Sequence, residues 1–153
     1  MKISIGADHA GFGLKQKIKQ MLEQAGMSVD DRGTDSTESV DYPDFALKVG
    51  EEVSHGRADC GILVCGTGIG MAIAANKVPG IRAANVTTEH EAQLSREHND
   101  ANILALGARV LDEPTALKIV NLWLHTQFVG GRHLGRVQKI AAIERQEQQT
   151  TKF

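Results

Sequence analysis

Apolar residues along the chain recur in two patterns. Short runs with few charges, KISIGAD, ILALGA and above all DCGILVCG, predict strands, with MSVDDRGTD and IRAANV as weaker ones. Between them, GFGLKQKIKQMLEQAG carries Leu14, Ile18, Met21, Leu22 and Ala25 at helical spacing and ends on Gly26. DYPDFALKVGEEVSHG repeats the pattern with Phe45, Ala46, Val49 and Val53 as an inner face, and Pro43 near its start. GIGMAIAANK, TTEHEAQLSREHN (opened by Thr87 or Thr88 as cap), EPTALKIVNLWLHTQF and IAAIERQEQQTTKF complete the helices.

Strand and helix alternate about five times, which predicts an α/β fold: one doubly wound, Rossmann-like domain with a five-stranded parallel sheet and helices on both faces. DCGILVCG is apolar throughout, as a strand buried on both faces should be. The domain is expected over residues 1–145, with 146–153 as a polar tail. With the strands ordered 2-1-3-4-5, the first and third are neighbours. Ligands bind at the carboxyl ends of such strands, near the point where the winding reverses. Asp8 and His9 close the first strand and Cys65 the third, so the three would share a crevice. Two bland roles compete with that reading: Asp8 as the cap of the next helix, and Cys65 as a small core residue.

The stretch after Cys65 favours chemistry. Gly66, Thr67, Gly68, Ile69 and Gly70 present backbone N–H groups at a helix start, a setting that accepts an anion and favours a thiolate. No Gly-Lys-Ser/Thr follows, and Met71 stands where a dinucleotide fingerprint needs its third glycine. A loop for a small anionic intermediate fits better than one for a nucleotide.

His98 and Asn99 follow a helix and precede a strand, which puts them at the opposite edge of the sheet from Cys65. They are helix-capping residues, or they complete the site of a second subunit. The latter predicts a homodimer with composite active sites. Arg132 and Arg136 share a helical face, and Arg109 follows the fifth strand. Grouped arginines suit a phosphate, while a solvated face is the ordinary use of two at that spacing. Tyr42, beside Pro43, is a pocket wall or a plain core aromatic.

Composition narrows the classes. The 153 residues suit one domain; 41% are hydrophobic and 24% charged, and the net charge of −2 gives no pull toward nucleic acid or a membrane surface. No run approaches the ~18 apolar residues of a membrane span. The start, MKISIGADHAG, lacks the apolar stretch of a signal peptide. Cys60 and Cys65 have an odd separation on one strand and face opposite sides, so they do not pair. Two free thiols suit a reducing cytoplasm, and their spacing is not that of a thiol redox motif.

Taken together, GADHAGFGLK, DYPDFA, CGTGIGMAIAANK, AQLSREHNDANILALGAR and GGRHLGRV resemble the type B ribose-5-phosphate isomerases, a group that also contains the galactose-6-phosphate isomerase subunits. The resemblance runs from about residue 2 to 145. It implies interconversion of ribose 5-phosphate and ribulose 5-phosphate through an enediolate, without metal or nucleotide. It also implies Cys65 as the base and His98 as the group that handles the sugar-ring oxygen or donates a proton. Asp8, His9, Asn99 and the 66–70 loop become substrate contacts, and Arg109, Arg132 and Arg136 chiefly phosphate contacts. Thr67 bonds either the base or a migrating hydroxyl. The same chemistry on a tetrose 4-phosphate, or on allose or galactose 6-phosphate, is the close alternative, and a non-catalytic small-ligand module the distant one. Dimers pairing into tetramers stay open.

Overall fold

The computed structural model describes residues 1–150. The elements run β1 (Lys2–Ala7), α1 (Phe12–Gln24), β2 (Ser28–Asp31), α2 (Tyr42–Ser54), β3 (Cys60–Cys65), α3 (Ile69–Ala75), β4 (Ala83–Asn85), α4 (Glu89–Glu97), β5 (Ile103–Gly107), α5 (Glu113–His125) and α6 (Arg132–Thr150). Strands and helices alternate through β5, and α6 continues past position 145 to Thr150. Among the described residues, no helix is long and apolar enough to cross a membrane.

The five strands are all parallel and lie in the order β2-β1-β3-β5-β4, which exchanges the last two relative to the expected 2-1-3-4-5. Burial explains the exchange. β5 is buried at every position, whereas β4 is three half-buried residues ending in Asn85. A run apolar on both faces belongs inside the sheet, and a short strand with a polar end makes a tolerable edge. Both orders leave β1 beside β3, where the winding reverses.

The period of two sorts β3 between two cores. Cys60, Ile62 and Val64 pack with Ile3, Ile5, Ile18, Leu22, Leu104, Leu106 and Trp123 beneath α1, α4 and α5. Leu63 and Cys65 join Ala46, Val49, Met71, Ala75, Ile103 and Ala105 beneath α2 and α3. The two cysteines therefore face opposite layers, and both are free. Burial pushes the Cys60 thiol up to about 12.

One buried charge lies outside these patterns. Lys15, on the inner face of α1, has a fully buried side chain; its Nζ donates to Asp31 Oδ1 at 2.7 Å and to Thr34 O at 2.6 Å. The ammonium thus ties α1 to the chain leaving β2.

Candidate active site

The structure gathers the sequence-predicted residues into two groups at opposite edges of the sheet. At the carboxyl edge, β1 and β3 end side by side, and the Asp8 N–H donates to Val64 O at 3.2 Å. Asp8 is buried and its Oδ1 accepts from Gly11 N–H at 3.0 Å, which closes the turn before α1; the helix itself, with Gly11 as its N-cap, has no side-chain cap bond. His9 Nδ1 accepts from Val40 N–H at 3.1 Å. A neutral ring that accepts at Nδ1 carries its proton on Nε2.

Cys65 is 4% exposed, and its Sγ accepts from the Gly68 N–H at 3.1 Å. That contact exists because Gly68 takes φ +81°, in the left-handed region that favours glycine, and folds the loop back over the sulfur. Thr67 Oγ1 accepts from Ile69 N–H at 3.2 Å. Among the described residues, the N–H groups of Gly66, Thr67 and Gly70 have no hydrogen-bond partner.

The loop's carbonyls are held from the other side. Ala108 N–H donates to Cys65 O at 2.8 Å and Arg109 N–H to Gly66 O at 3.0 Å. Asn85 Nδ2 reaches Thr67 O at 3.2 Å. The loop crosses the end of β5 over Gly107, where a Cβ would lie 2.6 Å from Thr67 O. The Arg109 guanidinium lies against Gly66, with Nη1 3.3 Å from where a Cβ would stand. The Tyr42 ring covers Gly70, 2.6 Å from a Cβ placed there, and at 41% exposed it is not a core aromatic. Ile69 within the loop, Ile73 in α3 and Val110 just after β5 are exposed.

The second group lies at the amino edge. His98 is the C-cap of α4, and Asn99 follows it. His98 stacks on His133 with ring centroids 4.1 Å apart and 12° between the planes. His133 is in the first turn of α6, between Arg132 and Arg136. Val129 N–H donates to Glu97 O at 3.1 Å, which brings the start of α6 to the end of α4. Burial holds the His133 imidazole below the ordinary histidine range, and His98, Arg132 and Arg136 push the same way.

A family model described as Ribose/Galactose Isomerase matches residues 3–140. This chain belongs to that family. It is similar to ribose-5-phosphate isomerase B of Escherichia coli, 51% identical over 143 residues, covering 94% of this chain and 96% of the relative. It is also similar to the D-erythrulose-4-phosphate isomerase of Pectobacterium atrosepticum, at 45% identity over 96% of this chain and 97% of the relative. Among solved structures, the ribose-5-phosphate isomerase B of Clostridium thermocellum matches with a TM-score of 0.95 and 58% identity, over 96% of this chain and 99% of that one.

In this member of the ribose/galactose isomerase family, two groups near the site carried no sequence signal. Asn85 closes an edge strand, where asparagine reads as a turn residue, yet it reaches over β5 to the loop. His133 reads as a residue between two arginines, and its partner His98 is remote in sequence. Among the described residues, no group of three His, Cys, Asp or Glu side chains is placed to share a metal ion.

Proposed function

We propose that the protein interconverts D-ribose 5-phosphate and D-ribulose 5-phosphate, with the Cys65 thiolate as the base. The observation that carries this reading is the Gly68 N–H on Cys65 Sγ at 3.1 Å, beside loop amides that have no partner among the described residues. An N–H donated to sulfur favours the anion, and unengaged amides suit an oxygen that gains charge.

The sulfur removes the proton from C2 of the open-chain aldose. The C–H electrons form the C1–C2 double bond and the carbonyl electrons move to O1, giving the enediolate. The C2 hydroxyl passes its proton to O1, the electrons of its O–H bond form the carbonyl at C2, and C1 takes back the proton from the same thiol, giving the ketose and the thiolate again. Before this the ring opens: His98 delivers a proton to the ring oxygen as its bond to C1 breaks, and Asp8 takes the proton of the C1 hydroxyl, whose oxygen becomes that of the aldehyde. Arg109, Arg132 and Arg136 bind the phosphate and fix the reacting carbons over Cys65. His9, Tyr42 and Asn99 contact the sugar.

These roles need two chains, because the two groups lie at opposite edges of one sheet. In a two-fold dimer the same contact occurs twice, so each carboxyl-edge group meets a partner's amino-edge group and two sites form. Exposed Ile69, Ile73 and Val110 at one edge and Val129 and Leu134 at the other supply apolar surface for such a contact. Two unpaired cysteines fit the reducing cytoplasm as its location.

The test is the conversion of ribose 5-phosphate by the wild type and by Cys65→Ala. Rapid turnover abolished in a folded variant is expected; full activity in the variant removes the base from the scheme. A relative named D-erythrulose-4-phosphate isomerase supports a second reading, the same reaction on a four-carbon phosphate. A higher kcat/KM on that substrate would select it.

A further inference from the structure

The peptide unit joining Thr67 to Gly68 is hydrogen-bonded at both ends. Its N–H donates to Cys65 Sγ at 3.1 Å, and its C=O accepts from Asn85 Nδ2 at 3.2 Å. The same Nδ2 donates to Ala105 O at 3.1 Å. Both acceptors are carbonyl oxygens, so the amide can present only its NH2 end to them, and its orientation follows from chemistry. Two earlier carbonyls of the loop, those of Cys65 and Gly66, are held by backbone N–H groups of Ala108 and Arg109. The third, Thr67 O, is held by a side chain from β4, two strands away from Cys65 in the sheet. Space fits as well: a Cβ on Gly68 would lie 2.3 Å from Asn85 Nδ2, so the amide is packed directly against the turning residue.

We infer that Asn85 is a positioning residue for the base: by holding Thr67 O it keeps the Gly68 N–H aimed at the Cys65 sulfur. A peptide engaged at its oxygen is also polarised and donates more strongly at its nitrogen, the cooperative behaviour of chained hydrogen bonds. Without Asn85 the peptide is free to rotate, and rotation would turn a carbonyl oxygen, rather than an N–H, toward the thiolate. This inference rests on the reading of Cys65 as the base. Other titratable and charged groups at this edge of the sheet are Asp8 and His9 after β1, Tyr42 from α2, on Gly70, and Arg109 from beyond β5, on Gly66. All of them remain in an Asn85 variant, so a change in titration is attributable to the lost amide.

Asn85→Ala tests this against Asn76→Ala. Asn76 grips the same edge strand, through Nδ2 to Ala83 O at 3.0 Å and Oδ1 from Ala83 N–H at 2.7 Å, without touching Thr67. The thiolate of Cys65 is followed by its ultraviolet absorbance against pH, with Cys65→Ala as the blank. Cys60, with its thiol pushed up to about 12, stays silent through the working range. In Asn85→Ala the thiolate midpoint is expected to rise, and kcat for ribose 5-phosphate to fall about three- to tenfold with KM little changed, the range of one lost hydrogen bond. The acid limb of the kcat profile should move with the midpoint, and Asn76→Ala should shift neither. An unmoved midpoint in Asn85→Ala, or an equal shift in Asn76→Ala, overturns the inference. Retained activity in Cys65→Ala would instead defeat the assignment of the base, while the absorbance titration still reads Asn85's hold on the sulfur.

Discussion

The rings of His98 and His133 lie nearly parallel, 4.1 Å apart, although 35 positions separate them in the chain. His133 is nine-tenths buried, and burial together with the neighbouring His98, Arg132 and Arg136 holds its imidazole below the ordinary range. A histidine depressed in the native state gives stability that is complete above its unfolded pKa, about 6.5, and is lost as pH falls through the native value. The stack should therefore be intact at neutral pH and loosen on acidification. Imidazole NMR titration checks this: His133 should titrate below a model histidine, and a value at or above it would contradict the geometry. His133→Asn should also lose less stability than the wild type between neutral and mildly acidic pH.

Gly107→Ala puts a methyl group 2.6 Å from Thr67 O. Backbone, not a pliable side-chain tip, stands in the way, so the loop must lift from the end of β5. Activity is expected to fall about 10²-fold, as when an oxyanion donor is lost, with only a modest change in melting temperature. Near-normal kcat in this variant would mean that the loop's seat on β5 is irrelevant to turnover.

Asp31→Asn leaves the Lys15 ammonium fully buried against an amide and a carbonyl. Burial on its own would raise the Asp31 carboxyl, but bonds from Lys15, Gly33 and Lys19 outweigh it and the net shift is downward. Removing one partner of a buried pair typically costs about 3–5 kcal/mol, and the 18% exposure of Asp31 argues for the lower end. Urea unfolding measures it. Because the native carboxyl is depressed, the pair's contribution is full above the unfolded pKa, ~3.9, and disappears as pH falls through the native value.

Composite sites predict complementation. Cys65→Ala and His98→Asn should each be inactive alone on ribose 5-phosphate. Co-expressed, they form mixed dimers in which one site has both defects and the other none, restoring about a quarter of wild-type activity per chain. No recovery in a mixture proven to contain mixed dimers would place all catalytic groups within one chain.

Most of the sheet was legible because its strands advertise burial. CGILVC could only be central, and the strand–helix alternation forced parallel pairing. The exchange of β4 and β5 departs from sequence order, and its only sequence signal is that ILALG is wholly apolar and IRAANV is not. The role of Lys15 is hidden in the sequence for a different reason. It sits at helical spacing with Ile18 and Leu22 on the inner face of α1, but lysine reads as solvated unless its partner is known, and Asp31 lies 16 positions away. Asn85 is harder still, since its role depends on a loop of another strand passing over Gly107.

The separation of Cys65 from His98 and the α6 arginines has a consequence in mass action. If each working site borrows half its groups from a partner, dilution below the dimer dissociation constant removes activity from chains that remain folded. Specific activity then becomes a readout of subunit concentration, and a substrate that bridges both halves tightens the assembly that binds it.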